Sequence, residues 1–204
     1  MKINSISIKN EGYVHCKSSF YSAQDGLDER QNYTFFPGLN NLIGEIDSGN
    51  WAVSYLLSLY KYRPEDFILF EQPVAILNGK SILLNELTEH SCYMDKIDPL
   101  FASDHSVKEL VIKGLEYSDS IYSSTDIKDM FHISDERFDR TIEGVGNEIF
   151  KAMAAIGFAY GKEIYCFPWL SNNRFKYYHE NLTVLLQTLE SLGKTVILPK
   201  GIAT

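Results

Sequence analysis

Apolar and polar positions alternate at the start of the chain. Ile3, Ile6 and Ile8 stand among polar residues over positions 2–9, and that spacing predicts a strand. Positions 12–21, with Tyr13, Val14, Phe20 and Tyr21, read as a second strand and 33–36 as a third. The mostly polar stretch 23–32 between them reads as a turn. A short apolar run, Asn41-Leu42-Ile43, leads into a segment bounded by Gly44 and Gly49. Trp51, Val53, Leu56, Leu57 and Tyr60 follow at helical spacing, and Pro64 ends that helix. Positions 67–70 and 74–77 are further strand candidates, and Asn78-Gly79 is a hairpin turn. Positions 81–87 fit either an alternating strand or a short helix, and 91–94 another strand.

The period then changes. Val107, Leu110, Val111 and Leu115, then Ile127, Met130 and Phe131, then Phe138 and Ile142 recur as on helices. Asp104 or Ser106 suits the cap of the first, and Ser134-Asp135-Glu136 a later helix start. Positions 147–160 predict a strong helix closed by Gly161, and 164–167 a buried strand. A long helix over 175–192 ends at Gly193, before a last buried strand over 195–198. Helix, strand, helix, strand with short links implies a parallel sheet.

Composition narrows the class. The chain has 204 residues, 45 % of them hydrophobic and 23 % charged, enough for one domain with a full core. A formal net charge of −8 argues against nucleic acid as a partner, because displacing counterions needs a basic face. Cys16, Cys92 and Cys166 are too few and too scattered for a disulfide framework, which points to a reducing compartment. No apolar run approaches the ~18 residues of a membrane span, and no signal-peptide pattern opens the chain. The expected location is cytoplasmic, with any attachment to the inner face of the membrane made through a partner.

Candidate chemistry concentrates at Gly44–Gly49. Strand, glycine-bounded loop and helix is the setting of a phosphate-binding P-loop, G-x-x-x-x-G-K-[ST]. Gly44, Ser48 and Gly49 fit that loop, but Asn50 replaces its lysine and Trp51 its hydroxyl residue. Backbone N–H groups there could still attract an anion. Asn50 brings no charge, and Trp51 no magnesium ligand. The histidines show no metal-ligand spacing, and no metal site is expected. Asp135, Glu136 and Asp139 read as a solvated helix face, and Tyr177-Tyr178 as packing on the long helix.

In order and spacing the chain resembles the nucleotide-binding domain of an ABC transporter. The resemblance runs from the early strands and the P-loop through ILNGKSILLNEL, SCYMDKIDPLF and HSVKELVIKGL. It continues in the ungapped block IEGVGNEIFKAMAAIGFAYGKEIYCFPWLS and in GKTVIL. It implies an α/β, P-loop NTPase-like ABC ATPase fold with an antiparallel β subdomain and an inserted helical subdomain near 97–146. All 204 residues would form one such domain. Carried over position by position, the Q-loop glutamine falls on Lys96 or a neighbour. The signature becomes Ile142-Glu143-Gly144-Val145-Gly146, with Glu143 and Gly144 its site residues. The Walker B carboxylates fall on Cys166 and Phe167, with only Pro168 matching after them; the D-loop aspartate falls on Asn173. The switch histidine falls near Pro199-Lys200-Gly201, and Tyr21 is the candidate to stack on an adenine.

These replacements imply a degenerate, catalytically impaired subunit with no catalytic residue and weak binding of ATP and Mg²⁺ at best. It would pair with an ABC ATPase subunit, as a homodimer or heterodimer, and dock on a transmembrane transporter subunit. The alternatives are a working ATP-binding subunit with non-standard motifs, and an ABC-like scaffold in peptide maturation or immunity.

Overall fold

The computed structural model describes residues 2–9, 14–16, 25–27, 32–46, 50–69 and 73–201. Its centre is a parallel sheet built from β5 (Gly38–Ile43), β9 (Ser91–Tyr93), β10 (Ile164–Cys166) and β11 (Thr195–Lys200), in the order β5-β11-β10-β9. An antiparallel sheet of β1 (Ile6–Lys9), β4 (Asn32–Phe35), β7 (Val74–Leu77) and β8 (Lys80–Ile82) lies in the order β4-β1-β7-β8. A smaller antiparallel sheet joins β2 (Val14–Cys16), β3 (Asp25–Leu27) and β6 (Phe67–Leu69).

Apart from its outer strand β5, the parallel sheet is buried on both faces, as the apolar runs of β10 and β11 require. Ile164 and Cys166 of β10 face one way, into a core with Trp51, Leu56 and the antiparallel sheet's Ile6 and Ile8. This is the side covered by α1 (Asn50–Leu59) and α2 (Leu84–Glu89). Tyr165 and Phe167 face the other way, into a core with Met153, Ile156, Leu182 and Leu185. That side is covered by α6 (Ile149–Ala159) and α7 (Asn172–Ser191). The split follows from strand geometry, in which successive side chains point to opposite faces.

Between β9 and β10 stand α3 (Val107–Ser118), α4 (Ser124–Met130) and α5 (Asp135–Phe138). Ser106, not Asp104, caps α3. Its hydroxyl accepts from the Glu109 N–H, and the Glu109 carboxylate accepts from the Ser106 N–H, a reciprocal capping box. Gly114 lets α3 lie close on the next layer: a Cβ there would stand 2.6 Å from the Tyr160 ring. Gly161, at φ +73°, turns the chain out of α6 with a left-handed backbone that a side chain disfavours.

Several expected boundaries shift. The polar stretch 23–32 contains the short strand β3, paired with β2. Positions 81–87 divide into the end of β8 and the start of α2, so both readings hold in part. α6 begins at Ile149, after a 3₁₀ turn over Gly146–Glu148. α7 begins at Asn172, three residues early. The Ser171 hydroxyl accepts from the Arg174 N–H, and the polar residues it caps carry no apolar period to betray a helix. Of the tyrosine pair, Tyr178 packs inward, edge-on at 5.0 Å from Phe150, whereas Tyr177 is exposed and meets the Tyr178 ring at 4.8 Å.

Candidate functional site

Ligands of open parallel sheets bind beyond the carboxyl ends of the strands. Here that rim brings together Gly44 after β5, Lys200 at the end of β11 with Gly201 after it, Phe167–Leu170 after β10 and Met94–Lys96 after β9. Residues far apart in sequence, several of them at motif positions, thus line one end of the sheet.

The loop after β5 is fastened where it begins. The Gly44 N–H donates to the Lys200 carbonyl at 3.0 Å, and the Gly44 carbonyl accepts from the Trp169 indole at 3.0 Å. Ser48 and Gly49 lie outside the described residues, as does the adenine candidate Tyr21. Asn50 opens α1. Trp51 points inward: it is fully buried, with its ring edge-on to Tyr55 at 6.0 Å. The indole therefore belongs to the core behind the loop and does not occupy the space in front of it.

The end of β10 has no carboxylate. Cys166 is buried beneath α1, and burial pushes its thiol up, so it stays protonated. Phe167 is buried on the opposite face, with its ring 5.3 Å from that of Phe150. Pro168 continues into Trp169, whose indole reaches Gly44 as described. Magnesium requires oxygen ligands. A neutral thiol and a phenyl ring sealed into separate cores do not fit it. Among the described residues, no cluster of three or more His, Cys, Asp or Glu could hold a metal ion.

On β11 the Lys200 ammonium lies 5.6 Å above the Phe175 ring. Asn173 stands in the first turn of α7. Beyond β9, Asp98 is buried, and its carboxylate accepts from the Tyr93 N–H at 2.6 Å and the Leu100 N–H at 2.9 Å. Burial outweighs these bonds and raises its pKa to about 6. Burial likewise raises the pKa of Asp95.

Glu143 and Gly144 form a 3₁₀ turn over Ile142–Gly144, ahead of α6. The Glu143 carboxylate is exposed and lies 3.6 Å from the Lys96 ammonium, which ties this turn to the segment after β9. A cleft of about 400 Å³ lies alongside, with Met94, Phe150 and Met153 among its apolar lining and Asp95, Lys96, Glu143 and Arg174 among its charged groups. Sequence reasoning missed Trp169, Asp98 and Arg174. For Trp169 a signal existed: a tryptophan beside a strand end needs an acceptor for its indole N–H.

No protein-family model matches the chain, and no curated protein matches it in sequence. Solved structures do. A putative ATP-binding protein of an ABC transporter from Pyrococcus furiosus superimposes with a TM-score of 0.64 at 15 % identity, covering 98 % of this chain and 93 % of that one. The fold is that of an ABC transporter ATP-binding domain. MJ1267, an ATP-binding cassette of an ABC transporter in its ADP conformation, gives 0.63 at 12 % identity, over 100 % of this chain and 83 % of that one. A bacterial Atm1-family ABC exporter with ATP bound gives 0.60 at 11 % identity, over 99 % of this chain and 35 % of the exporter. Within this ABC-type fold, no helix among the described residues is long and apolar enough to cross a membrane.

Proposed function

We propose that the chain is a degenerate ABC-type ATP-binding-cassette subunit that acts as a catalytically impaired partner in an ABC transporter complex. One observation carries this reading. The fold is ABC-type, yet the positions onto which the sequence resemblance carries the metal-holding carboxylates are Cys166 and Phe167, each sealed into a core. Phosphoryl transfer depends on electrostatic stabilisation by a metal and a lysine, and Asn50 supplies no charge in the lysine's place. The chain would sit at the cytoplasmic face of the membrane through a transmembrane partner, with α3, α4 and α5 forming the inserted helical subdomain near 97–146.

In a nucleotide sandwich with an intact ABC ATPase subunit, Glu143 would face the partner's terminal phosphate. Two like charges about 4 Å apart repel by roughly 4 kcal/mol at an effective dielectric near 20. Lys96, 3.6 Å from Glu143, cancels part of that. The composite site then closes weakly, and this chain restrains its partner's turnover.

Purified protein is expected to show no steady-state ATPase activity. A clear rate that disappears in Gly49→Asp would overturn the proposal. In a reconstituted pair, Glu143→Ser should raise the partner's ATPase rate or tighten ATP-dependent association. Co-purification of a membrane transporter subunit supports the transport role, and its absence turns the reading towards a scaffold.

A further inference from the structure

Among the described residues, the parallel sheet ends on an open edge. β5 is its outermost strand, and among the described residues no strand pairs with its outer side. Gly38 and Gly44 donate inward, to the carbonyls of Lys194 and Lys200. Backbone direction alternates along a strand, so Leu39, Asn41 and Ile43 turn their N–H and C=O groups outward. Free edges are usually blunted by charge, proline or a bulge. Pro37 stands just before this one, but along β5 itself apolar side chains stand out: Leu39 is 40 % exposed and Ile43 62 %.

We propose that this edge pairs antiparallel with β5 of a second copy of the chain, about a two-fold axis through Asn41, so that one sheet runs across two molecules. In that register the outward backbone groups meet. Asn41 lies opposite its own image, and Leu39 lies opposite Ile43 of the second copy.

A second copy is favoured over a foreign strand because the edge is self-complementary about that axis. Leu39 and Ile43 cover each other, and an asparagine amide carries both donor and acceptor for its image. The charges also match. The Glu190 carboxylate hangs over Gly38, where a Cβ would stand 3.5 Å from its Oε1. Lys200 is in register with Ile43, and its ammonium lies on the α7 side, above Phe175. Neither side chain has an ion-pair partner among the described residues. The axis places Gly38 opposite Gly44 of the second copy. Glu190 then faces Lys200 of that copy, and the reverse, across two strand spacings of roughly 10 Å, within reach of a lysine stem. Both contacts lie on one face of the joined sheet, since the axis is perpendicular to it. This pairing needs no nucleotide and does not rest on the composite site proposed above.

Sedimentation velocity of the full chain without nucleotide tests it. A dimer that strengthens with concentration is expected. Leu39→Lys with Ile43→Lys should weaken it roughly tenfold or more by placing like charges across the axis, while circular dichroism stays native. Glu190→Lys and Lys200→Glu should each weaken association, and the two together should restore it, an outcome that misfolding cannot imitate. A chain that remains monomeric at concentrations on the order of 100 μM overturns the proposal. So does a dimer indifferent to these changes, or one that forms only with ATP and responds to Glu143→Ser.

Discussion

Restoring a carboxylate where the Walker B pair should be is the change a motif comparison invites, and the structure predicts that it fails. Phe167 is fully buried, with Phe150 against its ring and Tyr165, Leu182 and Leu198 in the same core. Removing a buried phenyl ring costs about 3–5 kcal/mol. Phe167→Glu also forces a carboxyl group into that space, which adds about 1–3 kcal/mol even when it is protonated. The sum, about 4–8 kcal/mol, is comparable with the whole stability of an ordinary domain. The buried glutamate would have a raised pKa, so its folded form binds more protons than its unfolded form. The variant's stability is then greatest below the unfolded pKa of about 4.3 and falls as pH rises through the folded value. Phe167→Leu, which keeps an apolar side chain, should cost less than about 2 kcal/mol. Urea denaturation at pH 5 and pH 8, followed by intrinsic fluorescence, separates these cases. If Phe167→Glu unfolds at the wild-type midpoint at both pH values, residue 167 opens into the rim, and the argument that this site cannot hold magnesium collapses.

Other changes probe the rim and its supports. Trp169→Phe removes the hydrogen bond to the Gly44 carbonyl while keeping an aromatic ring, and should cost about 1 kcal/mol, or about 2–4 °C in melting temperature; an unchanged melting curve would mean that the indole does not fasten the loop. Asp98, with its pKa raised to about 6 by burial, contributes stability that is complete below its unfolded pKa near 4 and is lost as pH rises through 6. Relative to Asp98→Asn, which does not titrate, the wild type should lose about 3 kcal/mol between pH 4 and pH 8, and a parallel pair of stability curves would show that the carboxylate is solvated. Ser106→Ala breaks the capping box of α3 and should cost about 1 kcal/mol in chemical denaturation, whereas Asp104→Ala should cost little.

The parts of the fold that were legible in the sequence are those where one physical rule acts alone. The buried parallel strands announce themselves as short apolar runs, and the helices as i, i+3, i+4 stripes. The hairpin at Asn78-Gly79 follows from turn chemistry, and both residues take positive φ there. β3 was not legible, because Asp25, Gly26 and Leu27 carry no strand pattern and owe their conformation to pairing with β2. The early start of α7 was hidden for a related reason: its first turn is fixed by the Ser171 cap and has no apolar face to read.

The candidate site divides in the same way. Glycine spacing brought Gly44 to notice and the family resemblance brought Lys96, Glu143, Cys166 and Lys200, and the topology gathers their segments around one rim or beside it. What spacing could not supply was the direction of each side chain. Trp51 is the clearest case. From the motif it stands where a metal-binding hydroxyl is required, and it could equally have filled the phosphate space or packed behind it. The helix decides, because Trp51 falls on the same face of α1 as Tyr55, and both rings enter one core. Repairing the motif with Asn50→Lys and Trp51→Ser together is therefore not a neutral test of nucleotide binding. Emptying a buried tryptophan site costs about 3–5 kcal/mol, and a silent double variant would report a damaged core as readily as a dead loop. Asn50→Lys alone adds the missing charge at the start of α1 and keeps Trp51 in its core. Metal-independent binding of ATP by this variant, absent in the wild type, would show that the loop still cradles phosphate. Calorimetric silence in a fully folded Asn50→Lys would show that the loop has lost that shape as well as its lysine.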